Sequence, residues 1–312
     1  MEKENFSTVT EFMILGFPEF PGLQVPLFFL FLLIYLTILM GNVTIITVTC
    51  LDSRLHTPMY FFLSNLSFFD ISYTSVTLPK LLDVLLRKNY HISFGGCFTQ
   101  MYIFLCLACM EFVILSVMAY DRYVAVCHPL SYHLIMNKKI CILMIMGTWI
   151  IGFLTPVSYI ILFPQFSFCG SYEINHFFCD FSALLKLSCT GTSIIQRIVY
   201  VVCVFVGMPC FFSTLTSYVY IISTILRIRS TEGRRKAFST CSSHLTVVIL
   251  FYFTLLWLYM RPSSVQSMDE NKVITVLHNT LIPLFNPLIY SLKNNDVKNA
   301  LRKFFYQTLR IC

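Results

Sequence analysis

Seven apolar stretches, each long enough to cross a bilayer, constrain this chain more than any other feature. A spanning helix needs about 20 mostly apolar residues. With that ruler the stretches fall at 24–50, 57–84, 98–125, 139–163, 196–226, 238–260 and 272–292. Hydrocarbon offers no partner for a free N–H or C=O, so stretches of this length and composition must become helices. Charged residues make up only 12% of the 312, against roughly 25% in soluble domains, and the mean hydropathy is +0.74. The expected fold is an all-α membrane protein, a seven-helix transmembrane bundle. Residues 1–23 form an outer tail, 24–292 the bundle, and 293–312 a cytoplasmic C-terminal segment with a short amphipathic helix. No room is left for a soluble domain. No internal repeat is visible, which argues against a transporter built from duplicated halves. Met1 to Gly22 carries four glutamates and lacks the basic-then-apolar opening of a cleavable signal peptide.

Lys and Arg placement sets the orientation. With the N-terminus outside, 14 of the 22 basic residues fall on the cytoplasmic side, from Arg54 and Arg122 through Arg234, Arg235 and Lys236 to Arg310. Four acids share that side, so it carries about +10, a charge suited to anionic lipid and to an acidic partner. Asn5-Phe6-Ser7 is a glycosylation sequon on the outer tail. Similar triplets at Asn42 and Asn65 lie inside spans and are out of reach.

Of the 13 cysteines, four fall in the outer region: Cys97, Cys169, Cys179 and Cys189. Extracellular thiols pair, and four allow three connectivities that spacing does not choose among. The loop from about 164 to 195 is long, and long loops are usually lids or disordered.

Five strings carry a resemblance. Met118-Ala119-Tyr120-Asp121-Arg122-Tyr123-Val124-Ala125-Val126-Cys127-His128-Pro129-Leu130 closes the third span. Leu55-His56-Thr57-Pro58-Met59-Tyr60 opens the second and runs on to Asp70. Ser217-Tyr218-Val219-Tyr220-Ile221 lies on the fifth, and Lys236-Ala237-Phe238-Ser239-Thr240-Cys241-Ser242-Ser243-His244 opens the sixth. Pro283-Leu284-Phe285-Asn286-Pro287-Leu288-Ile289-Tyr290 lies on the seventh. In this order they resemble the signatures of the odorant receptors, a family of rhodopsin-like G-protein-coupled receptors.

That resemblance implies several things. Cys97 bonds to Cys179, tying the loop to the third helix, and Cys169 to Cys189, closing a ring within the loop. A small odorant and a heterotrimeric stimulatory G protein are the partners, with the bilayer and without nucleic acid. The location is the plasma membrane of olfactory cilia. Asp121, Arg122 and Tyr123, with Tyr218, His244, Asn286, Pro287 and Tyr290, form the coupling switch. Pro287 breaks the ladder of its helix and makes a hinge. No cofactor is required, though sodium is a candidate ligand of Asp70 and Glu111. These are the two carboxylates deep in the spans. Two such acids do not both stay charged in a low dielectric unless a proton or a small cation intervenes. Asn42 and Asn286 are expected polar neighbours, and a hydrogen-bonded acid pair is the structural alternative.

The chain also departs from the wider rhodopsin-like pattern. The sixth span has no proline or glycine, Tyr252 stands where many relatives have tryptophan, and Arg234-Arg235-Lys236 offers Arg122 no acid. A latch between the third and sixth helices is therefore not expected, and Tyr218 and His244 are the expected partners of Arg122 during switching.

His176-Phe177-Phe178-Cys179-Asp180 contains metal-ligand types, but with Cys179 in a disulfide only His176 and Asp180 remain. A packing segment is the better reading.

The third span carries no charge from Phe98 to Glu111. Receptors for biogenic amines place an aspartate about where Phe104 stands, so an ammonium ligand is not expected. Phe104, Leu105, Ala108, Cys109 and Phe112 offer an apolar wall instead. Tyr252, Leu255, Leu256 and Tyr259 recur at helical spacing and could close the opposite side, with Tyr200, Cys203, Gly207, Val276 and Asn279 as weaker candidates. Such a lining suits a small, mostly apolar volatile molecule. A rhodopsin-like receptor for another small ligand shares these mechanics. A transporter or channel would need a polar path, for which only Asp70 and Glu111 are available. No nucleophile, metal or phosphate motif supports an enzyme.

Overall fold

The computed structural model describes residues 10–162, 168, 172–189, 193–259, 268–292 and 297–303. Asn5, Cys169 and the ends of the chain lie outside them.

Strand β1 (Glu11–Ile14) precedes helix α1 (Gln24–Leu51). Helix α2 (Pro58–Arg87) starts with Pro58 in its first turn, where a missing N–H costs nothing. It ends at Lys88, in the left-handed conformation with φ 54°. Strand β2 (His91–Ser93) leads into α3 (Phe94–Cys127), whose first turn is capped by Ser93 Oγ accepting from Gly96 N at 3.1 Å. Helix α4 (Lys138–Leu154) is capped in the same way by Asn137, and after a break at Thr155-Pro156 the chain coils again over Val157–Leu162. Strand β3 (Glu173–Ile174) follows. Helix α5 runs through Ser193–Val202 and Met208–Arg227, joined by a π turn at Cys203–Gly207. Helices α6 (Thr231–Tyr259) and α7 (Met268–Leu292) complete the bundle.

Five of these segments are apolar and long enough to cross a membrane, within α1, α3, α4, α5 and α7. The other two carry more polar side chains. Helix α2 buries Ser67, Asp70, Thr74 and Thr77, and the apolar part of α6 shortens to Cys241–Trp257. Helix α6 also extends ten residues, Thr231 to Thr240, further toward its N-terminus than that apolar part.

The all-α architecture stands, with one small addition: a three-stranded sheet, ordered β2-β1-β3, at one end of the bundle. Strand β1 pairs antiparallel with β2 (Phe12 opposite Ile92) and parallel with β3 (Ile14 opposite Ile174). Alternation explains it: Phe12 and Ile14 are fully buried on one face, while Glu11 stays exposed. Residues 11–14 of the expected outer tail thus pack as a strand over the bundle end.

Helix α3 is the central element. Met110, Ile114, Leu115 and Met118 are fully buried, among Phe62, Leu66 and Phe69 of α2, Phe251 of α6 and Ile282 of α7. Outward faces are apolar too, with Phe29 63%, Leu33 65% and Phe205 74% exposed. That is the pattern of a surface facing lipid rather than water. Gly152 brings α4 against α3 so closely that a Cβ there would stand 3.1 Å from the Cys106 carbonyl and 2.2 Å from Met110 Cγ. Residues 297–303 are helical, with Val297 and Ala300 buried and Arg302 and Lys303 exposed.

Candidate functional site

The sheet end is closed by a lid. Cys97 and Cys179 form a disulfide with Cα atoms 5.4 Å apart. Gln100 reinforces it: its Oε1 accepts from Cys179 N at 3.0 Å while its Nε2 donates to the Val76 carbonyl at 2.7 Å. Cys189 is disulfide-bonded to a partner outside the described residues; Phe168 and Ser188, each one residue before an expected partner, form a bridge. Gly16 N donates to the His176 carbonyl at 3.0 Å, so the segment after β1 is stitched to the same loop. Glu19 then meets Lys272 of α7 at 2.7 Å, with Lys272 1% exposed and 5.6 Å from the Phe17 ring centroid.

His176 and Asp180 do not act as a metal pair. Asp180 caps the short helix Phe181–Lys186, accepting from Ser182 N and Ala183 N at 2.9 and 3.1 Å. His176 stacks on Phe177 at 4.6 Å and meets Phe178 edge-on at 4.8 Å. Burial drives its pKa down to about 4, against the opposing pull of Asp180 and with the added push of Lys272. Among the described residues no three His, Cys, Asp or Glu side chains are grouped to hold a metal ion.

Below the lid, Phe104, Leu105, Ala108, Cys109 and Phe112 lie on one face of α3 and are half-buried. Phe104 packs on Phe178 of the loop (4.5 Å) and Tyr73 of α2 (4.7 Å). Phe112 meets Phe251 and Tyr252 of α6 at 5.7 and 5.3 Å. The Tyr252 hydroxyl reaches Thr214 Oγ1 at 3.5 Å. Leu255 is partly buried against the same core.

Several expected lining residues are placed differently. Tyr200 is 71% exposed and Leu256 49%, and Cys203 is exposed, so they do not form the packed wall expected of them. The π turn at Cys203–Gly207 rotates the faces of α5 relative to a straight helix, which spacing arithmetic assumes. A Cβ at Gly207 would meet nothing within 4 Å. The side chain of Tyr259 lies outside the described residues. Val276 joins a cluster with Phe17, Phe31, Phe177 and Phe178. Asn279 is fully buried, with Oδ1 accepting from the Tyr73 hydroxyl at 2.7 Å. Sequence reading missed His278, whose Nδ1 meets Thr254 Oγ1 at 2.7 Å and whose ring lies 5.4 Å from Phe251. A histidine within an apolar span was the available signal.

Deeper in the bundle, Asp70 and Glu111 are 1% and 3% exposed. Asp70 Oδ2 accepts from Asn286 Nδ2 at 2.9 Å. Asp70 Oδ1, Glu111 Oε1 and Asn286 Oδ1 are buried without a hydrogen-bond partner among the described residues. Unpaired hard oxygen atoms of this kind fit a small cation. Asn42 does other work: its Nδ2 donates to the Pro283 carbonyl at 3.1 Å. Pro287, lacking an N–H, leaves that carbonyl without its helical donor, and Asn42 supplies one.

At the far end, Arg122 holds Asp121 through Nε at 3.0 Å and Nη2 at 2.5 Å, and Asp121 Oδ1 accepts from the Tyr132 hydroxyl at 2.7 Å. Both charges are buried. Tyr218 and His244, expected near Arg122 in switching, bond to each other here at 2.5 Å. Tyr123 meets His128 Nε2 at 3.1 Å, and the buried Tyr290 hydroxyl has no partner among the described residues.

Comparison with known proteins places this arrangement. A family described as "Olfactory receptor" matches residues 31–308. The chain is 46% identical to mouse olfactory receptor 5AR1 over 303 residues, 97% of this chain and 98% of that protein. It is 48% identical to human olfactory receptor 2A25 over 299 residues, 96% of each. With rat olfactory receptor 226 it shares 48% over 308 residues, 97% of this chain and 94% of the relative.

Proposed function

The chain belongs to the olfactory receptor family, and we propose that it binds a small, mostly apolar odorant beneath the lid and activates a stimulatory, olfactory-type G protein, raising cyclic AMP. It is a multi-pass membrane protein and not an enzyme. In this reading residues 24–292 form the receptor bundle of seven spans. The lid faces outside, Arg122 and residues 293–312 face the cytoplasm, Asn5 is glycosylated, and Cys169 bonds to Cys189. The plasma membrane of olfactory cilia is the site of action.

One observation carries the reading: helix α3 joins a half-open apolar face at Phe104–Phe112 to the Asp121–Arg122 clamp. The 18 residues from Phe104 to Arg122 span about 27 Å at 1.5 Å each. A ligand that fits better when α5 and α6 shift against that face draws the population toward the shifted state. Tyr252 sits where such a shift starts, between Phe112 of α3 and Phe211 of α5. At the cytoplasmic end the shift parts Tyr218 from His244 and lets Arg122 leave Asp121. The freed guanidinium and the basic face then receive the G protein. Pro287, with its carbonyl vacancy filled by Asn42, gives α7 a hinge beside Tyr290.

Asp70, Glu111 and the Asn286 side chain would hold a sodium ion in the resting state. The ion supplies the positive charge that lets both acids stay ionised in the closed bundle.

Cells displaying the chain and exposed to an odorant panel, with cyclic AMP as readout, test this reading. A ligand-dependent rise in wild type, absent in a surface-displayed Arg122→Ala variant, is the expected result. Ion flux through the purified chain in proteoliposomes without G protein would instead favour a channel.

A further inference from the structure

A groove of about 250 Å³ runs along the outside of the bundle between α1 and α7. Met40, Gly41 and Ile45 line it from α1, Leu284 and Leu288 from α7, and Leu301 from the helical run at 297–303. It opens outward, since Met40 is 64% and Leu288 40% exposed. A Cβ at Gly41 would stand 2.9 Å from the Pro287 Cγ. The two helices therefore touch behind the groove and part it from the buried Asp70–Asn286 pair.

Its walls offer a ligand no polar partner. Thr37 and Thr44 also line it, but both hydroxyls are spent within α1. Thr37 Oγ1 donates to the Leu33 carbonyl at 2.8 Å, and Thr44 Oγ1 to the Met40 carbonyl at 2.6 Å. Charge appears only at the end toward the C-terminus of α7. There Lys298, Leu301 and Arg302 are spaced i, i+3, i+4 and so share one face of their helical run. Val297 and Ala300 are buried, Lys298 is half-buried and Arg302 exposed. The residue that enters the groove is thus flanked by two bases.

We propose that this groove holds one acyl chain of an anionic phospholipid, whose headgroup phosphate rests on Lys298 and Arg302. From the receptor reading it takes only the placing of residues 297–303 at the cytoplasmic leaflet, which is the anionic one. The other occupants fit less well. A sterol is bulky for a space below the ~300–1,000 Å³ of ligand sites, and its hydroxyl would find no partner on the walls. A second copy of the chain, packed about a two-fold axis, would set Lys298 and Arg302 against the same bases. A zwitterionic lipid fills the groove but brings its own cation to that end. A bound acyl chain packs on Pro287 and Leu288, where α7 lacks a ladder bond, so occupancy steadies α7 at its hinge.

The full chain in phosphatidylcholine nanodiscs, with or without phosphatidylserine, tests this. Trace phosphatidylserine, phosphatidylcholine and sterol probes, each with a diazirine in its apolar part, are photolysed and the labelled peptides mapped. The phosphatidylserine probe is expected to label residues 37–45 and 284–288 at least about five-fold more than the phosphatidylcholine probe, the ratio contributed by one base near an anionic surface. Lys298→Gln combined with Arg302→Gln should bring that ratio close to one. Thr44→Phe fills the groove and keeps both bases, so it should remove the label there. Phosphatidylserine should also raise the melting temperature of wild type and not of the double variant. Equal labelling by the two phospholipids, stronger labelling by the sterol, or a label that survives Thr44→Phe overturns the inference. A melting temperature raised equally in wild type and double variant overturns it too, since anionic lipid then acts elsewhere. None of these readouts needs an odorant, so a chain silent in the cyclic AMP assay leaves this test standing.

Discussion

Acid should loosen the lid through His176. The imidazole is 4% exposed, packed between Phe177 and Phe178, and its Nδ1 has no partner among the described residues. Burial lowers its pKa from the ordinary 6.5 to about 4; Lys272 pushes the same way, and Asp180 opposes. The folded lid therefore keeps the ring neutral, while the opened lid takes a proton at ordinary acidity. Between pH 6.5 and 4 the open form binds more protons, so stability is fully present above 6.5 and falls as the pH drops. At pH 5 the loss is about 2 kcal/mol, growing to about 3 kcal/mol below pH 4. Hydrogen exchange at the Ile174 and His176 amides, corrected for intrinsic pH dependence, reads this opening directly. Between pH 7.5 and 5 the open population should rise about thirty-fold, since each 1.4 kcal/mol is ten-fold. His176→Phe keeps the ring stack and removes the titration, so its corrected exchange should stay flat across the range. An equal acid response in wild type and His176→Phe would refute the reasoning and move the titration to another group.

Asp121→Asn strands the buried Arg122 charge and should cost about 3–5 kcal/mol in a thermal melt, with raised basal cyclic AMP where the variant reaches the surface. Unchanged melting and basal signal would show the clamp to be dispensable. Arg122→Lys should rescue G-protein activation poorly, because an ammonium cannot supply the fork that spans Nε and Nη2; full rescue in a cyclic AMP assay counts against that geometry. Gly152→Ala forces α4 off the Cys106 carbonyl and should destabilise by about 1–3 kcal/mol, read as a lower melting temperature in detergent. Glu111→Gln should remove any selective stabilisation by sodium over potassium at fixed ionic strength; equal stabilisation of wild type by both ions would leave a protonated acid pair as the account.

Membrane helices are legible in sequence because hydrocarbon forces backbone groups to pair within each segment, so length and hydropathy alone carry the signal. The seven stretches accordingly became helices, and Pro58 and Ser93 stand at helix starts where their chemistry suits them. The family signatures likewise lie on α2, α3, α5, α6 and α7, and the Cys97–Cys179 pairing they implied is formed. What sequence could not give was which faces meet. The π turn in α5 breaks the regular helical register that spacing assumes, and Tyr200 and Cys203 are exposed. The sheet formed by Glu11–Ile14, His91–Ser93 and Glu173–Ile174 joins three short segments distant in the chain, each too brief to announce a strand. The partners of buried polar groups were equally hidden: Asn42 on the carbonyl freed by Pro287, Lys272 on Glu19, Tyr73 on Asn279. A polar side chain in an apolar span announces that it needs a partner, but helix rotation and packing choose which one it finds. Composition and hydropathy thus determined the helices and the membrane, while tertiary packing alone decided the lid, the clamp at Arg122 and the partners of the buried polar side chains.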